Sequence, residues 1–468
     1  MGDPSERRIR GKVKSAGRVK IGWVVPLAVA IFVLFLMVFV GIRLFEWERP
    51  TVKLETEVKH LGQKSKVVVT VSDQRSGLRE VRVVIRQGKK EALVVERQLG
   101  RASVLSRGVP SLQETIEVDT EALGVSDGPA ELVVTVHDLS WWQWARGNLT
   151  QEVFSTEFDT KPPRIRVVGI PNGIKPGGSG VIVYGANEEI FDHGVVIDGI
   201  THPGFSVPTR KDGVSAAFVA LPYDAESIKE AKVYAKDGAG NQTMQTLSLR
   251  FRSVRKSVGN IAVTDGFLNA KLPEFAEHYP EMKGTPIEQY LFINNEVRKR
   301  NTETIVEVCR HTDAIRHWEG RFLRMESAPM AGFANYRTYT YQDKQVDSQV
   351  HLGVDLADRQ QSDILAANNG KVVYADYLGI YGNMIIIDHG QGLFSLYGHL
   401  SDIRSKVGDM VKTGDLIGLS GTSGMAGGDH LHFSMLVNGV FVTPVEWWDD
   451  HWIKDNILLF LEDTKSVQ

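Results

Sequence analysis

A mainly β, multidomain chain is predicted, with an N-terminal transmembrane helix, two β-sandwiches, a helical connector and a C-terminal antiparallel β domain. Three observations predict it. Residues 21–42 carry no charge. Two segments of about 100 residues repeat the same order of β-branched strands and turns. The last third returns, after a helical stretch, to short strands divided by Gly-rich turns. At roughly 150 residues per domain, 468 residues suggest about three folded domains. A composition of 42% hydrophobic and 24% charged residues excludes wholesale disorder, collagen and coiled coil. A net charge of −3 argues against nucleic acid as a partner.

That charge is uneven. Residues 1–20 hold seven basic and two acidic side chains, a +5 tail that leaves −8 for the rest. As a helix, the uncharged run 21–42 spans about 33 Å, enough for a bilayer core. It is longer than the apolar core of a cleaved signal peptide, and the following RLFEWERP offers no A-x-A-like cleavage site. An uncleaved anchor follows. The basic tail stays in the cytoplasm and everything beyond about residue 45 is periplasmic or extracellular, in a bacterial inner (cytoplasmic) membrane. The single cysteine, Cys309, excludes an internal disulfide framework and a thiolate metal cluster.

Residues 48–160 and 161–254 are read as the two sandwiches. The first contains LGQKSKVVVTVSD and closes with LVVTVHD and NLTQEVFSTEF. The second contains IKPGGSGVIVYGA and closes with AKVYAKD and NQTMQTLSLRF. Both resemble bacterial immunoglobulin-like modules, which implies spacers that hold a head group away from the membrane. The second crosses from Asp237 to Asn241 directly. The first inserts LSWWQWARG between Asp138 and Asn148. Trp141, Trp142 and Trp144 on such a tip are unfavourable in water, so they either pack on the neighbouring module or contact lipid, glycan or an envelope protein partner.

Residues 255–327 form the connector. Thr285-Pro286-Ile287-Glu288 is a helix start, with a Thr cap, Pro at the first position and Glu at the third. The helix is expected to end near Asn301, with another over 303–310 and one over 265–279 interrupted by Pro273. Helices ahead of a groove are well placed to occlude it. Residues 449–468 are read as a tail.

The chemistry concentrates in 328–448. In extended strands, alternate side chains share a face. His351, Gly353 and Asp355 then point one way, with Leu352 and Val354 in the core. His430, His432 and Ser434 share another face. His399 follows in Tyr397-Gly398-His399-Leu400. Zinc takes imidazole nitrogen and carboxylate oxygen, and a catalytic site uses three protein ligands with one open position. Two remaining histidines suit a general base and a stabiliser of a developing oxyanion.

Here the chain resembles the lysostaphin-type zinc metalloendopeptidases of bacterial cell walls. Their pattern of H-x-x-x-D, a later His and then H-x-H appears as HLGVD, YGHL and HLHF. The phrases NGKVVYA, YGNMIIIDHG and VGDMVKTGDLIGLSGTSG match as well. The resemblance covers about 328–448. It implies His351, Asp355 and His432 as zinc ligands, His399 and His430 as the catalytic pair, and peptidoglycan as substrate. Two departures stand out. Ala331-Gly332-Phe333-Ala334-Asn335-Tyr336-Arg337 replaces the usual S-G-F-G-x-R, and Met425-Ala426-Gly427-Gly428-Asp429 replaces S-T-G-P. Asp429 thereby precedes His430 directly, either as a carboxylate that orients it or raises its basicity or as a solvated loop acid. Tyr341 and Tyr381 are candidates for stabilising a transition state.

Other classes fit less well. There is no G-x-S-x-G or H-E-x-x-H. The KVGDMVKTGDLIG stretch resembles lipoyl-carrier hammerheads, which need no inward histidines. His311, His317 and His389 are read as structural. The main alternative is a silent or latent scaffold that recruits or activates other wall enzymes.

Overall fold

The structure is a computed structural model that describes residues 21–100, 106–210 and 212–462. The basic stretch 1–20 and the last part of the predicted tail lie outside the described residues. The chain divides into two compact units, up to Thr160 and from Lys161 onward.

In the first unit, the helix Val24–Leu44 is long and apolar enough over Val24–Ile42 to cross a membrane, judged by length and composition. A three-stranded sheet orders Thr51–Leu54, Lys64–Ser72 and Ser111–Asp119. A five-stranded sheet orders His60–Leu61, Leu149–Phe158, Gly128–Asp138, Leu78–Gln87 and Lys90–Gln98. Alternation explains the packing between them. Val67, Val69 and Val71 from one sheet meet Val81, Val83, Leu132 and Val134 from the other in a single core. The juxtamembrane residues are stitched to this module. The carbonyls of Glu46, Glu48 and Pro50 accept hydrogen bonds from Ser140 Oγ, Asn148 Nδ2 and Thr150 Oγ1.

Glu46 is buried and lies with Asp73 and Asp138 in one cluster of carboxylates. Burial first, then the two neighbouring acids, push its pKa up to about 7 against the hydrogen bond from Ser76. The unfolded chain releases this proton near pH 4.5, the folded chain near 7. Between those values the folded state binds more protons, so stability falls as pH rises through that window. Glu46→Gln is therefore expected to stabilise this module at pH 8, by something of the order of 2 kcal/mol, and to make little difference at pH 4. Denaturant melts at the two pH values check it.

In the second unit, a four-stranded sheet orders Phe205–Ser206, Ser215–Ala220, Ser179–Ala186 and Ile165–Gly169. Another orders Ile200–Pro203, Asp192–Ile197, Ala231–Lys236 and Gln242–Thr246. They enclose Ile182, Tyr184, Val195, Val219 and Val233. The outer face of the first sheet is also covered. Val181, Val183, Ala216 and Phe218 share a core with Trp318, Phe322, Trp447, Ile453 and Ile457. Both faces of Ser179–Ala186 and Ser215–Ala220 are thus buried, which accounts for the nearly continuous apolar runs GVIVYGA and SAAFVA. The segment read as a free second spacer instead shares its core with the C-terminal β region. The predicted tail turns helical over Asp450–Leu461 and packs on the same face.

The connector is more structured than predicted. Ser257–Ala262 is a strand, parallel to Asn335–Tyr341 in a sheet completed by Lys344–His351. The helix Asp265–His278 runs through Pro273 without interruption. Thr285 and Glu288 form the expected capping box for Pro286–Phe292. That helix does not end near Asn301. It continues through a π-turn, Ile293–Val297, into Arg298–Val308. No Gly or Pro falls within this stretch, and buried Asn301 is held by accepting the Ile380 backbone N–H.

The C-terminal β region is an eight-stranded sheet. Its path is Ala328–Ala331, Val354–Ala357, Leu431–Val437, Leu393–Leu400, Asn383–Asp388, Gly370–Tyr377 and Met410–Val411, with Val440–Val442 off Leu431–Val437. Asp355 pairs with His432, and His432 pairs with Gly398 on the other side. Three separate sequence motifs are therefore cross-strand neighbours, about 5 Å apart.

Candidate metal centre and groove

The register above sets Asp355 against His432. His351 reaches them from elsewhere. It ends the strand Lys344–His351 of the three-stranded sheet, whereas Asp355 lies on Val354–Ala357 of the large sheet. The single strand expected over 351–355 is thus two strands joined at Leu352-Gly353. Gly353 faces the site closely. A Cβ there would sit 2.5 Å from the His432 ring and 2.7 Å from Ser434 Oγ. Gly353→Ala is expected to displace His432 and weaken metal binding by about 10–100-fold, the range seen when ligand support is lost. Zinc titration of the folded variant measures it.

His351 Nε2 lies 2.9 Å from Asp355 Oδ1 and 3.0 Å from His432 Nδ1, and His432 Nδ1 lies 3.0 Å from Asp355 Oδ1. All three residues are buried. Tetrahedral zinc with bonds near 2.1 Å spaces its ligand atoms about 3.4 Å apart. The three atoms need to part by only a few tenths of an ångström, and the donor set is one that zinc takes. Their tautomers suit the task. His351 Nδ1 donates to the Gly332 carbonyl, which leaves Nε2 as the ligand atom. Ser434 Oγ donates to the Leu352 carbonyl and accepts from His432 Nε2, which leaves His432 Nδ1 free to ligate.

The carboxylate serves several partners. Arg337 Nη2 lies 3.2 Å from Asp355 Oδ2, and His430 Nε2 lies 3.6 Å from Oδ1. Burial opposes ionisation of Asp355. The close approach of His351, His430 and His432 outweighs it and holds the carboxyl far below its usual range. Burial lowers His432 to about 4. His399 is lowered well below its ordinary value by burial first, and then by His430 and His432. Burial also opposes the charged form of His430, yet Asp355 raises its pKa.

His399 and His430 face the centre together, with ring centroids 4.8 Å apart. His399 stands 5.7 Å from His432. Each donates Nδ1–H to a carbonyl, of Ser423 and Gly428 respectively. In both rings Nε2 is left to accept a proton. His399 has a φ of 64°, a left-handed conformation rare for a residue with a Cβ.

These side chains open into a cavity of about 1240 Å³. Tyr381 lines it, buried, with its ring 5.4 Å from that of His432 and its pKa pushed up to about 12 by burial. Tyr341 lies outside it and donates to Asp265. Asp429 does not orient His430. Its carboxylate accepts from Ser420 Oγ and the Gln361 N–H, and so fastens the loop. His389 is a buried core residue bonded to Asn369 and Ser395.

Sequence reasoning placed the connector over the groove but did not name the residues of this opposite wall. Phe267, Tyr290 and Arg298 of the connector, and Tyr223 of the preceding module, line the same cavity. The π-turn places Asn294 to hold Arg298 by its carbonyl and side-chain oxygens. Lys271 donates to the Thr422 carbonyl, and Glu274 accepts from the Gly424 N–H, so helix Asp265–His278 grips the Gly-rich turn beside His399. A capping box and an apolar periodicity reveal a helix but not its partner, so the expectation that connector helices lie over the groove named none of these residues.

The buried His351–Asp355–His432 cluster, in a β-lined groove beside His399 and His430, is a site that could hold a metal ion. The C-terminal region carries a peptidase family M23 domain. Residues 349–444 match that family's profile. The catalytic domain of the antimicrobial peptidase lysostaphin from Staphylococcus simulans is 30% identical, over 26% of this chain and 92% of that one, with a TM-score of 0.23. Among curated relatives, the DD-carboxypeptidase/endopeptidase Mpg of Neisseria meningitidis is 36% identical over 97 residues, 21% of this chain and 22% of its own. The murein hydrolase activator EnvC of Escherichia coli is 34% identical over 95 residues, 20% of this chain and 23% of its own. The matches thus span about a fifth of these relatives' own length.

Proposed function

We propose that residues 328–448 are a zinc endopeptidase that hydrolyses peptide bonds in peptidoglycan stem peptides or cross-bridges. The helix over 21–42 holds it at a bacterial cytoplasmic membrane, with the body of the chain periplasmic or extracellular. The carrying observation is the convergence of five polar side chains from three sequence motifs on one cavity. His351, Asp355 and His432 would hold the metal. When bound, zinc supplies Lewis-acid polarisation of a carbonyl and acidification of water.

The chain's own residues do the rest. His399 or His430 accepts, through Nε2, the proton lost by the attacking water and returns it to the leaving amine. Arg337 holds Asp355 in position. The cavity of about 1240 Å³ has room for a peptide segment, and Arg298 and Lys299 on its wall are placed to meet the carboxylates of wall peptides. The modules over 48–160 and 161–254 are read as immunoglobulin-like, the second built into the peptidase unit.

Purified protein incubated with sacculi is expected to release peptides with new amino termini, in proportion to bound zinc. Zinc binding without release of new amines would sink the enzyme reading and favour a scaffold, as the kinship with an activator allows.

A further inference from the structure

The loop between Asp138 and Asn148, inside the first module, carries an observation the peptidase reading does not use. Both modules close with the same Asp–Asn bracket. In the second, the Asp237 N–H donates to the Asn241 carbonyl, and Asn241 N and Nδ2 donate to the Asp237 carboxylate. In the first, Asp138 and Asn148 make the same three bonds. The second bracket encloses only Gly238, Ala239 and Gly240. The first encloses Trp141, Trp142 and Trp144. The aromatic insertion therefore occurs in the module attached to the apolar helix, on a turn whose twin needs none of it.

These rings do not enter the module's core. Trp141 and Trp142 are partly exposed, and Trp144 is 98% exposed at a strained φ of 60°. They meet the juxtamembrane segment instead. Trp141 packs edge-on against Phe45 at 6.3 Å, and Trp142 edge-on against Trp47 at 6.2 Å. Trp141 also lines a cleft with Leu36, Met37, Val40 and Gly41 of the helix. Leu36 lies about 12 Å before the helix end at Leu44, so the loop overhangs the last two turns of the apolar helix. The backbone is firmly tied there. Ser140 Oγ donates to the Glu46 carbonyl and accepts from the Trp142 N–H, and the Gly147 N–H closes on the Trp142 carbonyl.

We infer that Trp141, Trp142 and Trp144, with Phe45 and Trp47, form an aromatic seat in the headgroup region of the bilayer that Val24–Ile42 crosses. Indole rings favour that depth because one edge is apolar and the N–H stays hydrated. Continuity with the apolar helix selects lipid over a protein partner, since a protein docked here would have to displace the bilayer from the same two turns. The first module is then fixed on the membrane surface, and its first part is no free tether. The inference rests on the membrane-spanning reading of the helix.

Full-length protein in phosphatidylcholine vesicles tests it, with the acyl chains brominated either near the headgroup or near the bilayer centre. The emission difference between wild type and W141F/W142F/W144F isolates the loop rings. Trp144→Phe alone provides a variant whose ring touches nothing in the fold. The expected result is stronger quenching of the loop emission by the shallow bromines than by the deep ones, with protection from aqueous iodide. Loop emission untouched by either lipid and open to iodide, in protein that floats with the vesicles, overturns the seat while leaving the anchor intact. That outcome would point to a protein partner. Protein that fails to float overturns both.

Discussion

His351→Ala is expected to lose zinc and hydrolysis together, whereas His430→Ala keeps zinc and loses turnover by about 10²–10⁴-fold, the usual contribution of a positioned acid–base group. The geometry separates the two residues. His351 Nε2 touches both other ligand atoms at 2.9 and 3.0 Å, so its removal leaves two ligands where a zinc site needs three. His430 reaches only Asp355, at 3.6 Å, and its other nitrogen is bonded to the Gly428 carbonyl. Removing it leaves the ligand triangle standing. His399→Ala is expected to behave like His430→Ala. Zinc content by elemental mass spectrometry and new amines released from sacculi read the two effects separately. A zinc-free His351→Ala protein with retained activity would defeat the metal mechanism. An active His430→Ala protein would remove that histidine from the chemistry and leave the metal centre untouched.

The clustering of His351, Asp355 and His432 follows the H-x-x-x-D and H-x-H motifs that carry the resemblance. The register Asp355–His432–Gly398 adds why the three motifs meet. What spacing did not carry was the break at Leu352-Gly353, which hands His351 to a different sheet, since a run of five residues looks alike as one strand or two. The choice between the two readings of Asp429 needs the structure for a related reason. Adjacency in sequence to His430 says nothing of direction, and the carboxylate turns to Ser420 and Gln361 instead. Long-range packing was the least visible. The apolar runs around Val181 and Phe218 announce burial on both faces, but not that Trp318 and Trp447 supply the second face.

That shared core leads to the other large effect. Phe218→Ala is expected to cost about 3–5 kcal/mol, the range for emptying a buried aromatic site, and to melt the second module and the peptidase groove in one transition. Phe218 is 1% exposed, with Trp318 at 6.2 Å and Trp447 at 6.4 Å. Glu446, beside Trp447, accepts from the Ser179 N–H and pairs with Lys175, so polar bonds cross the same seam. A sandwich hung on as a spacer would lose its own fold and spare the enzyme. Near-UV circular dichroism of the buried tryptophans and residual hydrolysis after heating should therefore lose signal at one lowered temperature. An unchanged midpoint for hydrolysis would restore the spacer. The coupling also bears on any inhibitory role of the connector. A chain shortened to begin near Ser327 loses Trp318, Phe322 and the strand Ser257–Ala262 that flanks Arg337. Its expected fate is unfolding rather than activation. Substitutions confined to the exposed cavity wall, such as Arg298→Ala, therefore distinguish a latch from a structural support where truncation does not.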